Sequence, residues 1–165
     1  MQTFLPFVYN FDLSAKSLDN KRLNKQLLEG RQIYAALLGQ TKGWVNHPAT
    51  KMWKNHENML FKYLYAIKRE CERRGIQTEK NWTAIEEMHE SNYNRGDGLT
   101  IPGWMTDEQI ANKIEITHRG NLYKKDPDYY VEFYLESRKY LKHVCCDTCN
   151  YYWYTHKLVK EPSFV

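Results

Sequence analysis

Residues 18–38 read LDNKRLNKQLLEGRQIYAALL. Leu23, Leu27, Tyr34, Leu37 and Leu38 fall on one stripe at helical spacing, with Gly30 inside it. Arg22, Gln26 and Glu29 follow i, i+4, i+7 and share a flank of that stripe. Glu29 stands there among basic and amide side chains. A glycine inside a helix costs about 1 kcal/mol relative to alanine. Gly30 is therefore expected to admit a neighbouring backbone, and the N-terminal arm is the candidate. Asp12 or Ser14 is the expected cap of a helix that begins near Ala15. Gly39 and the segment Thr41-Lys42-Gly43 end the helix.

Before this helix, residues 1–11 are apolar, aromatic and interrupted by Pro6, which predicts an extended arm packed on the helices. After it, GWVNH (43–47) is a loop leading into Pro48, a good first-turn residue. Met52, Trp53, His56, Met59, Leu60, Tyr63, Leu64, Ile67 and Cys71 keep a 3-4 repeat that predicts one helix ending at Arg73-Arg74-Gly75. Residues 78–93 predict a shorter helix, and NRGDGLTIPG (94–103) a loop. Thr106 is the expected cap of a helix from Asp107 to about His118. Asp126-Pro127 is expected to start a last, strongly aromatic helix, and residues 145–165 read as irregular. No stretch alternates as a strand does. The predicted fold is all-α: one domain over residues 1–165, with the arm against the helices.

Composition narrows the function classes. Apolar residues make up 42%, which excludes a disordered chain. A net charge of +4 permits nucleic-acid binding without demanding it, so a basic footprint has to come from clustering. No apolar run approaches the ~20 residues that span a bilayer, and no membrane partner is expected. MQTFLPFVYNF lacks the basic region and cleavage site of a signal peptide, so the expected location is the cytosol. In that reducing compartment Cys71, Cys145, Cys146 and Cys149 are not expected to form disulfides. The expected state is a monomer.

Several residue clusters carry two readings. His143, Cys145, Cys146 and Cys149 form H-x-C-C-x-x-C, a weak zinc signal, because structural sites usually draw two separated pairs. Packing of small thiols is the preferred reading, and no metal is assigned. His56 lies on the apolar stripe and reads as a hydrogen-bonded core residue. His47, before Pro48, reads as a helix cap or a phosphate contact. Tyr129, Tyr130, Tyr151, Tyr152 and Trp153 either fill the core or stack on bases. Lys21, Arg22, Lys25, Arg31, Lys42, Lys51, Lys54, Arg119, Lys124 and Lys125 are singly solvated charges and together a candidate phosphate-binding set.

Four stretches carry a resemblance. They are LDNKRLNKQLLEGRQI (18–33), KGWVNHPATKMWKNHENML (42–60), ERRGI (72–76) and HRGNLYKKDPDYY (118–130). In this order they resemble the phage-type endonuclease V family of pyrimidine-dimer DNA glycosylases with abasic-site lyase activity. The likeness covers residues 1–130, and residues 131–165 extend past it. It implies double-stranded DNA as partner, no metal and no organic cofactor. It also implies that the N-terminal α-amine attacks C1′ of the damaged nucleotide, expels the base and forms an imine, after which β-elimination nicks the strand. The matching nucleophile is the amine of Met1 and the matching acid is Glu29. Gln2, Arg22, Lys25, Gln26, Arg31, His47, Lys51, His118, Arg119, Asn121, Lys125, Tyr129 and Tyr130 become the expected DNA-binding or site-lining residues.

The chemistry of the residues agrees. An α-amine titrates near about 7.7–8.0, so part of it is unprotonated at neutral pH. A nearby carboxylate can move its protons and stabilise positive charge on the sugar. Two departures stand out. Leu28 occupies the position before the glutamate where many members carry arginine, and Arg22 or Arg31 is the expected substitute. Gln2 disfavours removal of Met1, so Met1 is expected to keep the amine. Two other readings remain: a non-catalytic DNA-binding module on the same scaffold, and a small zinc-bearing interaction domain around residues 145–149.

Overall fold

A computed structural model describes residues 2–92, 100–137, 152 and 154. Among them the chain forms α1 (Phe11–Ser17), α2 (Asn20–Leu37), α3 (Pro48–Trp53), α4 (Glu57–Arg73), α5 (Glu79–Asn92), α6 (Gly103–Thr106), α7 (Glu108–Lys125) and α8 (Val131–Ser137). The fold is all-α, and no strand occurs among the described residues. No helix there is long and apolar enough to cross a membrane. Helix α2 packs against α3, α4 and α5, α4 also carries α1, and α7 packs on α6 and α8. One apolar cluster runs from Phe4, Leu5 and Val8 of the arm through Leu23 and Leu27 to Tyr63, Leu64, Trp104, Ile114 and Phe133.

The helix expected from Ala15 onward is two helices. Asn10, not Asp12 or Ser14, caps α1 by accepting from the Leu13 N–H. Leu18 is extended, and the Asp19 side chain caps α2 by accepting from the Arg22 N–H at 3.1 Å. Distant groups hold this corner. The Arg74 guanidinium donates to the carbonyls of Lys16 and Leu18, and the Tyr130 hydroxyl accepts from the Asp19 N–H at 2.8 Å. Gly30 does not admit the arm. A Cβ there would stand 2.1 Å from Leu64 Cδ2, so the glycine lets α4 approach α2.

The long helix expected through residues 52–71 is also interrupted. Residues 54–56 leave the helix between α3 and α4, and Asn55 takes φ +66, a left-handed value that Asn tolerates. A three-residue break is close to one helical turn, so the apolar phase survives it. His56 is half-buried at this break and shares a 3.0 Å hydrogen bond with Thr100 Oγ1, so it is not in the core. The expected end at Arg73-Arg74-Gly75 stands, with Gly75 at φ +70.

Farther along, Gly103 begins the turn α6 instead of closing a loop, and it places Trp104 in the core. Asp107, not Thr106, caps α7, by accepting from the Gln109 and Ile110 N–H groups. Helix α7 runs past His118 to Lys125, with Lys124 and Lys125 in the last turn where cations suit the helix dipole. Tyr129 and Tyr130 lie in the turn before α8 and not on a helix started by Asp126-Pro127.

Candidate active site at the N-terminal arm

Much of the arm, residues 2–10, is buried, and among the described residues it has no strand to pair with. Thr3, Phe4, Leu5 and Val8 are all closed to solvent. Buried backbone groups need partners, and here side chains supply them. From α2, Glu29 Oε2 accepts from the Gln2 N–H at 3.2 Å and Gln26 Oε1 from the Phe4 N–H at 2.9 Å. From α7, His118 Nδ1 accepts from the Leu5 N–H at 2.9 Å and Glu115 Oε1 from the Val8 N–H at 2.6 Å. The carbonyls are met as well. Tyr63 Oη donates to Phe4 O at 2.9 Å, and Arg119 Nε to Pro6 O at 2.7 Å. The arm is thus threaded between α2 and α7, over α4.

His118 can accept the Leu5 N–H only with an unprotonated Nδ1. Its burial agrees, pulling its pKa down to about 3. Arg119 lies across the Phe7 ring at 4.5 Å and pairs with Glu115. Both residues are occupied with the arm.

Glu29 sits at the arm's first described residue and is only 6% exposed. The exposed Lys25 places its Nζ 3.4 Å from Glu29 Oε1, one turn earlier on α2. Helix α3 also reaches this end of the arm. Its Trp53 Nε1 donates to Thr3 Oγ1 at 2.9 Å, and its cap, His47, accepts from the Ala49 N–H at 3.2 Å. Burial lowers the His47 pKa, and the Glu29 charge opposes that shift. The Trp44 ring stands edge-on to the His47 ring at 5.5 Å. Start of arm, Glu29, Lys25 and the N-terminal end of α3 therefore converge.

The other expected site residues are dispersed. Arg22, Gln26 and Glu29 share a helix flank, but only Gln26 and Glu29 meet the arm. Arg22 pairs with Asp19 at 2.8 Å and Asp126 at 3.5 Å and donates to Lys125 O, joining α2 to the end of α7. Among the described residues Lys25, and not Arg22, is paired with Glu29. Gln26 is fully buried, and its Oε1 lies 2.8 Å from Tyr63 Oη, whose one proton it shares with Phe4 O, so it anchors the arm and does not face a ligand. His118 is likewise enclosed. Tyr130 is buried with its hydroxyl 2.5 Å from Asp19 Oδ2, which removes it from any stacking surface. Asn121 donates to Thr117 O one turn back at 2.8 Å. Arg31 and Lys51 are half-buried, Lys125 is exposed, and Tyr129 is exposed with its hydroxyl on Leu18 O.

Met1 lies outside the described residues, as do Tyr151, Trp153 and the set His143, Cys145, Cys146 and Cys149. Among the described residues no group of three or more His, Cys, Asp or Glu is placed to hold a metal ion. Sequence reasoning missed Glu115 and Tyr63 as arm anchors and Trp44 as a neighbour of His47. Only Tyr63 left a trace, as a hydroxyl on an apolar stripe.

The family model for pyrimidine dimer DNA glycosylases matches residues 1–84, which span the arm, Glu29 and α3. No curated protein and no solved structure matches the chain.

Proposed function

The chain belongs to the pyrimidine dimer DNA glycosylase family, and we propose from that footing that it is a DNA glycosylase with abasic-site lyase activity. Its substrate is a modified or dimeric pyrimidine in duplex DNA. The observation that carries this reading is the hydrogen bond from the Gln2 N–H to Glu29 Oε2. Gln2 and Glu29 are 27 residues apart, and a nearly buried acid meets the second residue's amide. Three covalent bonds separate that amide nitrogen from the α-amine of Met1, which holds the amine within about 4 Å of it. An amine and a carboxylate so tethered are the two groups the reaction needs.

In this mechanism the unprotonated α-amine attacks C1′. The glycosidic bond breaks with its electron pair on the leaving base, which takes up a proton. Cleavage of C1′–O4′ then gives the imine, and O4′ is protonated. Loss of a C2′ proton expels the 3′-phosphate by β-elimination. Glu29 accepts the proton shed by the attacking amine and delivers it to O4′, and its charge stabilises the cationic sugar. Lys25 supplies the positive charge that Leu28 lacks, and keeps Glu29 oriented. Residues 1–165 act as one glycosylase domain.

Borohydride trapping tests this. The protein is incubated with duplex DNA carrying an abasic site or a cyclobutane dimer, then reduced. A covalent adduct is expected, and mass spectrometry should place it on residue 1. Lys25, the amine nearest Glu29 among the described residues with an ion pair to it, is the informative competitor. No adduct on either DNA, or an adduct on Lys25, refutes the nucleophile. Glu29→Gln should lower turnover by about 10²–10⁴-fold while DNA binding and the unfolding midpoint hold. Undiminished turnover would remove Glu29 from the mechanism.

A further inference from the structure

We propose that Trp44 is the wedge that enters the duplex and fills the stack vacated by the reacting nucleotide. The proposal rests on the DNA-lyase reading above and adds the residue that opens the helix. C1′ is shielded inside a duplex, so the nucleotide has to leave the stack. Something flat and apolar then has to replace it, and an indole offers the largest aromatic face.

Trp44 has the required placement. Its side chain is 51% exposed beside the exposed Val45, although both are large apolar groups. Its backbone takes φ +64, a region that bulky residues rarely enter. The turn is nevertheless held, because the His47 N–H donates to Trp44 O at 2.9 Å and the two rings meet edge to face. His47 in turn caps α3, which is tied to the arm through Trp53 and Thr3, next to the Gln2–Glu29 pair. A strained, hydrogen-bonded turn thus presents an indole to solvent on the element adjoining Glu29. Lys42, Lys51 and Lys54 flank it in sequence, the charge a phosphate backbone would meet. Of the other exposed aromatics among the described residues, Tyr9 lines a separate groove with Asp12, Lys62 and Arg69, and two more are engaged. Tyr65 lies under the Arg69 guanidinium, and Tyr129 donates to Leu18 O.

The test separates the wedge from the chemistry. Binding is measured to an intact duplex and to the same duplex carrying a tetrahydrofuran abasic analogue, which has no aldehyde and cannot form an imine. The wild-type protein should prefer the analogue. Trp44→Ala and Trp44→Gly should each lose about tenfold of that preference, the worth of one stacked base, and Trp44→Phe should keep most of it. Glycine accommodates φ +64, so a loss shared by Ala and Gly is due to the ring and not to the turn. An unchanged preference in both variants overturns the proposal, and so does a wild-type protein with no preference. Failure of borohydride trapping in a wild-type protein that still prefers the analogue refutes the amine nucleophile and leaves the wedge standing.

Discussion

Gln26→Leu is the substitution that best isolates what holds the arm. Leucine keeps most of the volume of the buried side chain and removes the acceptor. The Phe4 N–H then loses its 2.9 Å partner, while Tyr63 Oη keeps Phe4 O. One orphaned buried donor costs about 1–3 kcal/mol. The protein has an escape, because residues 2–4 can peel away and rehydrate. That exposes the Phe4 side chain, only 2% accessible when docked, which costs about 1.5–3 kcal/mol. The two routes cost alike, so the loss is expected near 2 kcal/mol whichever is taken, about thirtyfold in an opening equilibrium. Urea unfolding followed by tryptophan fluorescence reads the total. Hydrogen exchange at the Phe4 and Leu5 amides reads the local opening. Both should move, and the rate of borohydride trapping should fall with them, since a small misplacement of a reacting group is costly. A Gln26→Leu protein with the wild-type urea midpoint and a still-protected Phe4 amide would refute the view that α2 side chains fix the arm.

Stability should also depend on pH through His118. Its pKa is about 6.5 when unfolded and about 3 in place, so between these values the unfolded chain binds the extra proton and folding weakens as pH falls. The slope should be about 1.4 kcal/mol per pH unit, with His47 and His89, lowered by burial, adding in the same direction. Urea midpoints at pH 7, 6 and 5 check this above the range of Glu70, which Arg73 and Arg74 hold at about 2. A flat profile from pH 7 to 5 would contradict a neutral buried imidazole. Arg74→Lys should cost about 2 kcal/mol, because a single guanidinium serves Glu70, Leu18 O, Lys16 O and Asn20 Oδ1 and an ammonium cannot reach them all. Thermal unfolding measures it, and a loss under about 0.5 kcal/mol, the range of an ordinary surface change, would show that the corner between α1 and α2 holds itself.

The helical class and the arm were legible because both rest on short-range chemistry: a 3.6-residue apolar period, and a proline among aromatics. The two missed breaks have different causes. Between α3 and α4 the break preserved the apolar phase, so periodicity was blind to it. Between α1 and α2 the chain turns because Arg74 and Tyr130, far away in sequence, supply donors and an acceptor at residues 16–19. No local rule contains those partners. Within the site, Glu29 emerged from the resemblance and its helix flank. The same flank misled for Arg22: shared azimuth on a helix says nothing of what lies opposite each turn, and here the arm lies opposite Gln26 and Glu29 while the end of α7 lies opposite Arg22.

The fate of His118 and Arg119 explains why motif residues need not touch a substrate. Both belong to one of the four stretches that resemble a DNA-acting family, beyond the residues 1–84 that its model matches, and His118 is enclosed while Arg119 grips the arm. Chain ends ordinarily fray, because few contacts tie them down. A mechanism that uses the chain's own first amine cannot tolerate fraying. A lysine nucleophile would be positioned by its helix, whereas an α-amine has to be positioned by its own backbone. That backbone cannot be helical without turning the amine into the first turn, and as a strand it would need a sheet. The remaining solution is an extended segment whose amides and carbonyls are met one by one by side chains, from Gln26 and Glu29 on α2, Tyr63 on α4, and Glu115, His118 and Arg119 on α7. Under the proposed mechanism these polar residues, buried where apolar ones would pack more simply, form the seat of the nucleophile, and Glu29 is the member of that seat assigned a part in the chemistry.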